Sequence, residues 1–144
     1  MFDSILVVCT GNICRSPIGE RYLQRLLTEK KIDSAGTGAM IGYDADPSAI
    51  KIAEMNGLSL DGHKGKQFTS SMARQYDLIL VMEKYHIEQI GRIAPEIRGK
   101  TMLFGHWINH REIPDPYKKS DEAFASVFQL IAESSQCWAE KLRA

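Results

Sequence analysis

Apolar residues along this chain alternate between short unbroken runs and longer segments in which they return every three or four positions. The first run, Ile5-Leu6-Val7-Val8, is continuous and partly β-branched, as expected of a strand covered on both faces. Past a polar turn, Ile18, Tyr22, Leu23, Leu26 and Leu27 keep helical spacing. Ser16-Pro17 in front of them predicts Ser16 as N-cap and Pro17 as the first helical residue. A short strand is predicted at 31–36 (KIDSAG), a helix opened by Asp46-Pro47 and closed by Asn56-Gly57, and a short helix near 69–75. DLILVM at 77–82 predicts the next buried strand, a helix from about 84 to 94 stops before Pro95, and TMLFG at 101–105 predicts a fourth strand. Ser120-Asp121-Glu122 starts a long last helix that ends near Leu142. Strands separated by helices require right-handed crossovers, so the expected class is α/β: three layers, a parallel four-stranded sheet with helices on both faces. Ligands in such sheets bind beyond the carboxyl ends of the strands, and the turn at 9–16 leaves that end of strand 1.

Length and charge narrow the picture. A chain of 144 residues without repeats, low-complexity tracts or linkers fits a single domain, expected to span 1–144. Lys and Arg total 18 and so do Asp and Glu, which leaves no broad basic field for nucleic acid or anionic lipid. Any selectivity for anions must be local. The start carries Asp3 instead of a basic segment, and no apolar run approaches the ~20 residues of a membrane span. A cytoplasmic protein without membrane insertion is expected. Cys9, Cys14 and Cys137 form neither an even disulfide framework nor a CxxC pair. Cys137, beside Trp138 in an apolar helical pattern, is expected to be buried filler.

Cys9-Thr10-Gly11-Asn12-Ile13-Cys14-Arg15-Ser16 carries the chemistry. A loop with successive amide hydrogens turned inward makes an anion nest, and the following helix adds the positive end of its dipole. Gly11 is expected to take a backbone conformation that other residues avoid, and Asn12 tolerates the left-handed region. Arg15 offers a planar fork for two phosphate oxygens, while Thr10 contributes mainly its backbone. These features favour the thiolate of Cys9, which makes it the candidate nucleophile against a phosphate monoester, with Ser16 placed to ease departure of the sulfur afterwards. The leaving group needs a proton. Asp115, held between Pro114 and Pro116 after the fourth strand, is the candidate general acid and then base. Rival motifs fail: GTGAMIG at 36–42 has Ile41 where a dinucleotide loop needs glycine, and GxxxxGK[ST] is missing. His106 and His110 are four apart, but Trp107 and the strand-to-loop context argue against a shared helical face, so no metal is expected.

With CTGNICRSP at 9–17, SAGTGA at 34–39 and Asp115-Pro116-Tyr117, the chain resembles the low-molecular-weight protein-tyrosine phosphatases over almost its whole length. GNICRSP, MLFGHW and IPDPYKKS are similar in particular to the Gram-negative Wzb/Etp-type group linked to exopolysaccharide export. The resemblance implies strand order 2-1-3-4, no metal or other cofactor, and a cysteinyl-phosphate intermediate. It implies Cys9 as nucleophile, Arg15 as phosphate clamp, Asp115 as acid, and Thr10, Gly11, Asn12, Ile13, Cys14 and Ser16 as the phosphate loop. His63, which on its own reads as a surface histidine, would buttress that loop. Met40 or Ile41 stands where many relatives have tryptophan and Lys118 where they have a second tyrosine, so the expected rim is Met40 and Tyr117. Glu83 stands where relatives often have aspartate. The implied partner is a phosphotyrosine protein, a bacterial membrane tyrosine autokinase. Arsenate reduction, which needs a thiol relay, and noncatalytic phosphotyrosine binding remain alternatives. Cys14 reads either as packing or as the disulfide partner of an oxidised Cys9.

Overall fold

The computed structural model describes residues 2–143, and Met1 and Ala144 lie outside them. Strands β1 (Ser4–Cys9), β2 (Lys31–Gly36), β3 (Leu78–Val81) and β4 (Thr101–Leu103) alternate with helices α1 (Arg15–Leu26), α2 (Pro47–Met55), α3 (Ser70–Ala73), α4 (Lys84–Ile93) and α5 (Asp121–Arg143). The sheet has order β2-β1-β3-β4 and every pairing is parallel, which puts β1 inside the sheet.

Two-residue periodicity divides the core. Ile5 and Val7 of β1 pack with Ile18 and Leu23 of α1, Ala49 of α2, and Phe124 and Phe128 of α5. Leu6 and Val8 point the other way, against Ala73 of α3, Ile90 of α4 and Phe68. Both faces of the sheet are therefore covered, which is why its strands read as unbroken apolar runs.

Several local expectations need correction. Helix α1 starts at Arg15 with Cys14 at the cap position and no side-chain cap bond, so Ser16 lies in the first turn and its hydroxyl is free for other partners. The segment Pro95–Lys100, between the predicted fourth helix and fourth strand, forms a 3-10 turn. β4 stops at Leu103, although Phe104 N–H still bonds the Val81 carbonyl at 2.7 Å. Cys137 is only half-buried, because the rotation of α5 leaves it between buried Trp138 and exposed Gln136. His106 and His110 do come together: a turn bonds His110 N–H to the His106 carbonyl at 3.1 Å and their rings stack at 4.5 Å. Among the described residues no group of three or more His, Cys, Asp or Glu side chains could hold a metal ion. No described helix is long and apolar enough to cross a membrane.

Candidate active site

β1 delivers Cys9 to the carboxyl edge of the sheet, and the chain then loops back to enter α1 at Arg15. Asn12 takes the left-handed conformation within this loop, with φ at 58°, whereas Gly11 stays outside that region. The left-handed turn here aims the Asn12 side chain inward. Its Nδ2 donates to Ser16 Oγ at 2.8 Å and Ser34 Oγ at 3.0 Å, and its Oδ1 accepts from Lys66 N–H at 2.9 Å. Ser34 passes its own hydrogen to the buried Glu20 carboxylate at 2.6 Å. Ser16 Oγ, already accepting from Asn12, lies 2.9 Å from Cys9 Sγ, within reach to give its hydrogen to a sulfur anion, with the Ala35 carbonyl a longer alternative acceptor at 3.5 Å.

The loop is held from outside as well. His63 is buried and its Nε2 lies 2.6 Å from the Asn12 carbonyl, and burial is the main reason its ring is harder to protonate than usual. Gly36, where β2 ends, lies so close that a Cβ there would run into the Thr10 carbonyl oxygen. Cys14 is buried too, and burial with Asp46 nearby pushes its thiol well up. Cys9 and Cys14 are both free thiols.

Arg15 is 2% exposed. Its Nη1 donates to Glu83 Oε1 at 2.7 Å and to the Ile113 carbonyl at 2.8 Å, while Nη2 lies 3.8 Å from Asp115 Oδ2. One nitrogen thus anchors the fork, leaving the rest of it for an anion. Asp115 is half exposed, and its Oδ1 accepts the Tyr117 N–H at 3.0 Å, a turn bond that fixes where the carboxyl points. Cys9, Thr10, Gly11, Ile13, Cys14 and Arg15 share a pocket of about 190 Å³ with Gly38, Met40, Asp115 and Tyr117. A roomier cavity of about 260 Å³, lined by Ser48, Lys51 and Phe124, has neither a thiol nor a buried cation.

Sequence reasoning missed His86 and left Glu83 without a role. His86 is 0% exposed. Its Nδ1 accepts the Glu83 N–H at 3.1 Å, so the neutral ring carries its hydrogen on Nε2 and donates it to Thr10 Oγ1 at 2.9 Å. Thr10 therefore contributes its side chain and not its backbone alone. Burial, reinforced by the Arg15 guanidinium, holds the His86 ring down to about 4. A free histidine titrates at about 6.5, so between those limits the unfolded chain takes a proton that the native ring refuses. Stability is then complete above about pH 6.5, falls as pH drops through the window, and levels off below about pH 4, a loss on the order of 3 kcal/mol. Urea unfolding between pH 7 and pH 4 is expected to show a shallower decline for His86→Gln, which keeps an acceptor for Glu83 and a donor for Thr10 without titrating. Parallel declines in the two proteins would assign the acid sensitivity elsewhere.

Comparison with known proteins places this arrangement among relatives. A family model described as low molecular weight phosphotyrosine protein phosphatase matches residues 4–144. The low molecular weight protein-tyrosine-phosphatase Wzb of Escherichia coli K12 is 57% identical over 144 residues, which cover 100% of this chain and 98% of that protein. The crystal structure of the tyrosine phosphatase Wzb from Escherichia coli K30 in complex with sulphate is 70% identical, covers 99% of each chain and superposes with a TM-score of 0.98. Vibrio vulnificus Wzb in complex with benzylphosphonate is 54% identical over 98% of this chain and 99% of that one, at a TM-score of 0.96.

Proposed function

Since the chain belongs to the low molecular weight phosphotyrosine protein phosphatase family, and is a protein-tyrosine phosphatase of the Wzb type, we propose that Cys9 carries its reaction through a phosphocysteine. The thiolate attacks phosphorus in line, the S–P bond forms as the P–O bond to tyrosine breaks, and the phenolate takes a proton from Asp115. Water then attacks phosphorus, Asp115 takes back a proton, and the Ser16 hydroxyl stabilises the departing sulfur. Arg15 and the amides of Thr10 to Cys14 hold the equatorial oxygens as charge develops on them. Asn12 and His63 keep the loop in shape, and Glu83 anchors Arg15. Met40 and Tyr117 form the rim, the tyrosine ring stacking on the substrate's for about 0.5 to 1.5 kcal/mol.

The observation that carries this reading is the juxtaposition of Cys9, 2.9 Å from a hydroxyl donor, with a buried guanidinium pinned by Glu83 and Ile113, in one pocket with Asp115. Benzylphosphonate, bound by the Vibrio vulnificus relative, has the shape of a phosphotyrosine side chain without its hydrolysable oxygen, which supports the same substrate class. The substrate in this reading is a phosphotyrosine protein, a bacterial membrane tyrosine kinase of an exopolysaccharide system, met in the cytoplasm, with 1–144 acting as one domain. Arsenate reduction fits less well, because its thiol relay would need Cys137, which sits on α5 and does not line the pocket. A purely binding role leaves Asp115 without a purpose.

Acid quenching during turnover of an aryl phosphate, followed by peptide mass mapping, is expected to find one phosphoryl group on Cys9. Steady turnover with no phosphorylated Cys9, or arsenate-dependent thiol oxidation in place of ester hydrolysis, would overturn the scheme.

A further inference from the structure

Beside the pocket lies a larger groove of about 580 Å³, and the two share Ile13, Met40 and Tyr117. The rest of its apolar lining is Tyr43, Ala45, Pro47 and Ile50. The wall between groove and pocket is stitched to the phosphate loop. The amides of Thr37, Gly38 and Met40 bond the carbonyls of Cys9, Thr10 and Gly11 at 3.0 Å each, and Asp46 N–H bonds the Ile13 carbonyl at 2.8 Å. Gly65 braces the same wall: Gly65 N–H bonds the Tyr43 carbonyl at 2.9 Å, and a Cβ at Gly65 would meet the Met40 carbonyl oxygen. A groove built this way is preformed and keeps a fixed position relative to Cys9.

This arrangement matters because the family's substrate is a phosphotyrosine protein, so a polypeptide must cross the mouth of the pocket. In an extended chain residues two apart share a face and lie about 6.6 Å from each other, so the side chain two positions from the phosphotyrosine comes to a cavity that shares its rim with the first. Two carboxylates, Asp44 and Asp46, border the groove. Both are already engaged, Asp44 with Lys64 and Asp46 with the Ser48 amide at 2.8 Å. They offer nothing to an acidic neighbour and repel it. Resting on the hydrolase reading above, we propose that this groove is a specificity subsite that takes an apolar side chain, aliphatic or aromatic, flanking the phosphotyrosine of a protein substrate. Specificity for the flanking sequence then resides in the segment 40–50 and is separate from recognition of the phosphate.

The test measures kcat/KM on peptides with one phosphotyrosine and Leu, Phe, Ala or Asp placed two positions before or two positions after it, alongside a small aryl phosphate that cannot reach the groove. At one of the two positions Leu or Phe is expected to exceed Ala by about tenfold, with Asp below Ala. Ile50 lines the groove and not the pocket, so Ile50→Asp is expected to erase the preference while aryl phosphate turnover stays within about twofold. Ile50 also packs on the core, so Tyr43→Ala provides the second variant: Tyr43 is 59% exposed, its truncation leaves the core alone, and it should reduce the preference several-fold. Equal rates for all peptides, or a preference undiminished in both variants, would overturn the subsite while leaving the hydrolase reading intact. Failure of the unaltered protein to turn over the aryl phosphate and every peptide would overturn both.

Discussion

Serine in place of Cys9 is expected to lower turnover by roughly 10⁴-fold or more while inorganic phosphate still binds. The two halves of this result have separate causes. Turnover depends on a sulfur anion that attacks phosphorus and later leaves it, and a serine hydroxyl does neither at neutral pH. Binding depends on groups the substitution does not touch. The loop amides remain in place because Asn12 is bonded through Ser16, Ser34, Lys66 and His63, and none of these bonds passes through Cys9. Arg15 remains anchored by Glu83 and Ile113 for the same reason. Calorimetry with phosphate should therefore give a dissociation constant within several-fold of the unaltered protein's, while aryl phosphate hydrolysis disappears into background. Loss of binding together with turnover would mean that Cys9 holds the loop in shape, and turnover retained in the serine variant would mean that another group attacks.

How much of this was legible beforehand follows the range of the interactions. Ile5 to Val8 announced a strand covered on both sides, and Asp46-Pro47 with Asn56-Gly57 marked both ends of α2, because capping and periodicity are written in neighbouring residues. Cys9, Arg15 and Ser16 stood out for the same reason. The supports of the loop did not. Thr10 and His86 are 76 positions apart, Arg15 and Glu83 68, and Arg15 and Ile113 98, and only the parallel sheet brings them together. His86 also sits at the third position of α4, where the sequence signature of a capping box would be Glu or Gln, so its local context gave no signal. His63 enters the loop's surroundings only through the family resemblance; from its neighbours Gly62 and Lys64 alone it reads as a surface residue, although it is buried against Asn12. Ser16 misled for the opposite reason: a strong local cap signal lost to a tertiary demand, since its hydroxyl serves Cys9 and Asn12.

Asp115→Asn is expected to lower kcat for phosphotyrosine by about 10² to 10³-fold, yet to cost little with an aryl ester whose leaving group is already a weak base. Asparagine has the same shape, keeps an oxygen to accept the Tyr117 N–H, and stays fixed between Pro114 and Pro116, so the loop and the Tyr117 rim keep their place. The substitution removes the transferable proton of the acid form and, in the ionised form, the negative charge 3.8 Å from Arg15 Nη2. Losing the charge does not weaken the hold on a dianion, since Arg15 is then shared with one anion fewer. The whole cost should therefore appear in the step where the phenolate departs. A series of aryl phosphates with leaving groups of increasing basicity should give a steep dependence of kcat on leaving-group pKa in the asparagine variant and a shallow one in the unaltered protein. An equal loss across the series would make Asp115 a shaper of the rim, and the proton would then have to come from elsewhere, for which the pocket offers no second carboxyl: among its lining residues Asp115 is the one carboxylic acid.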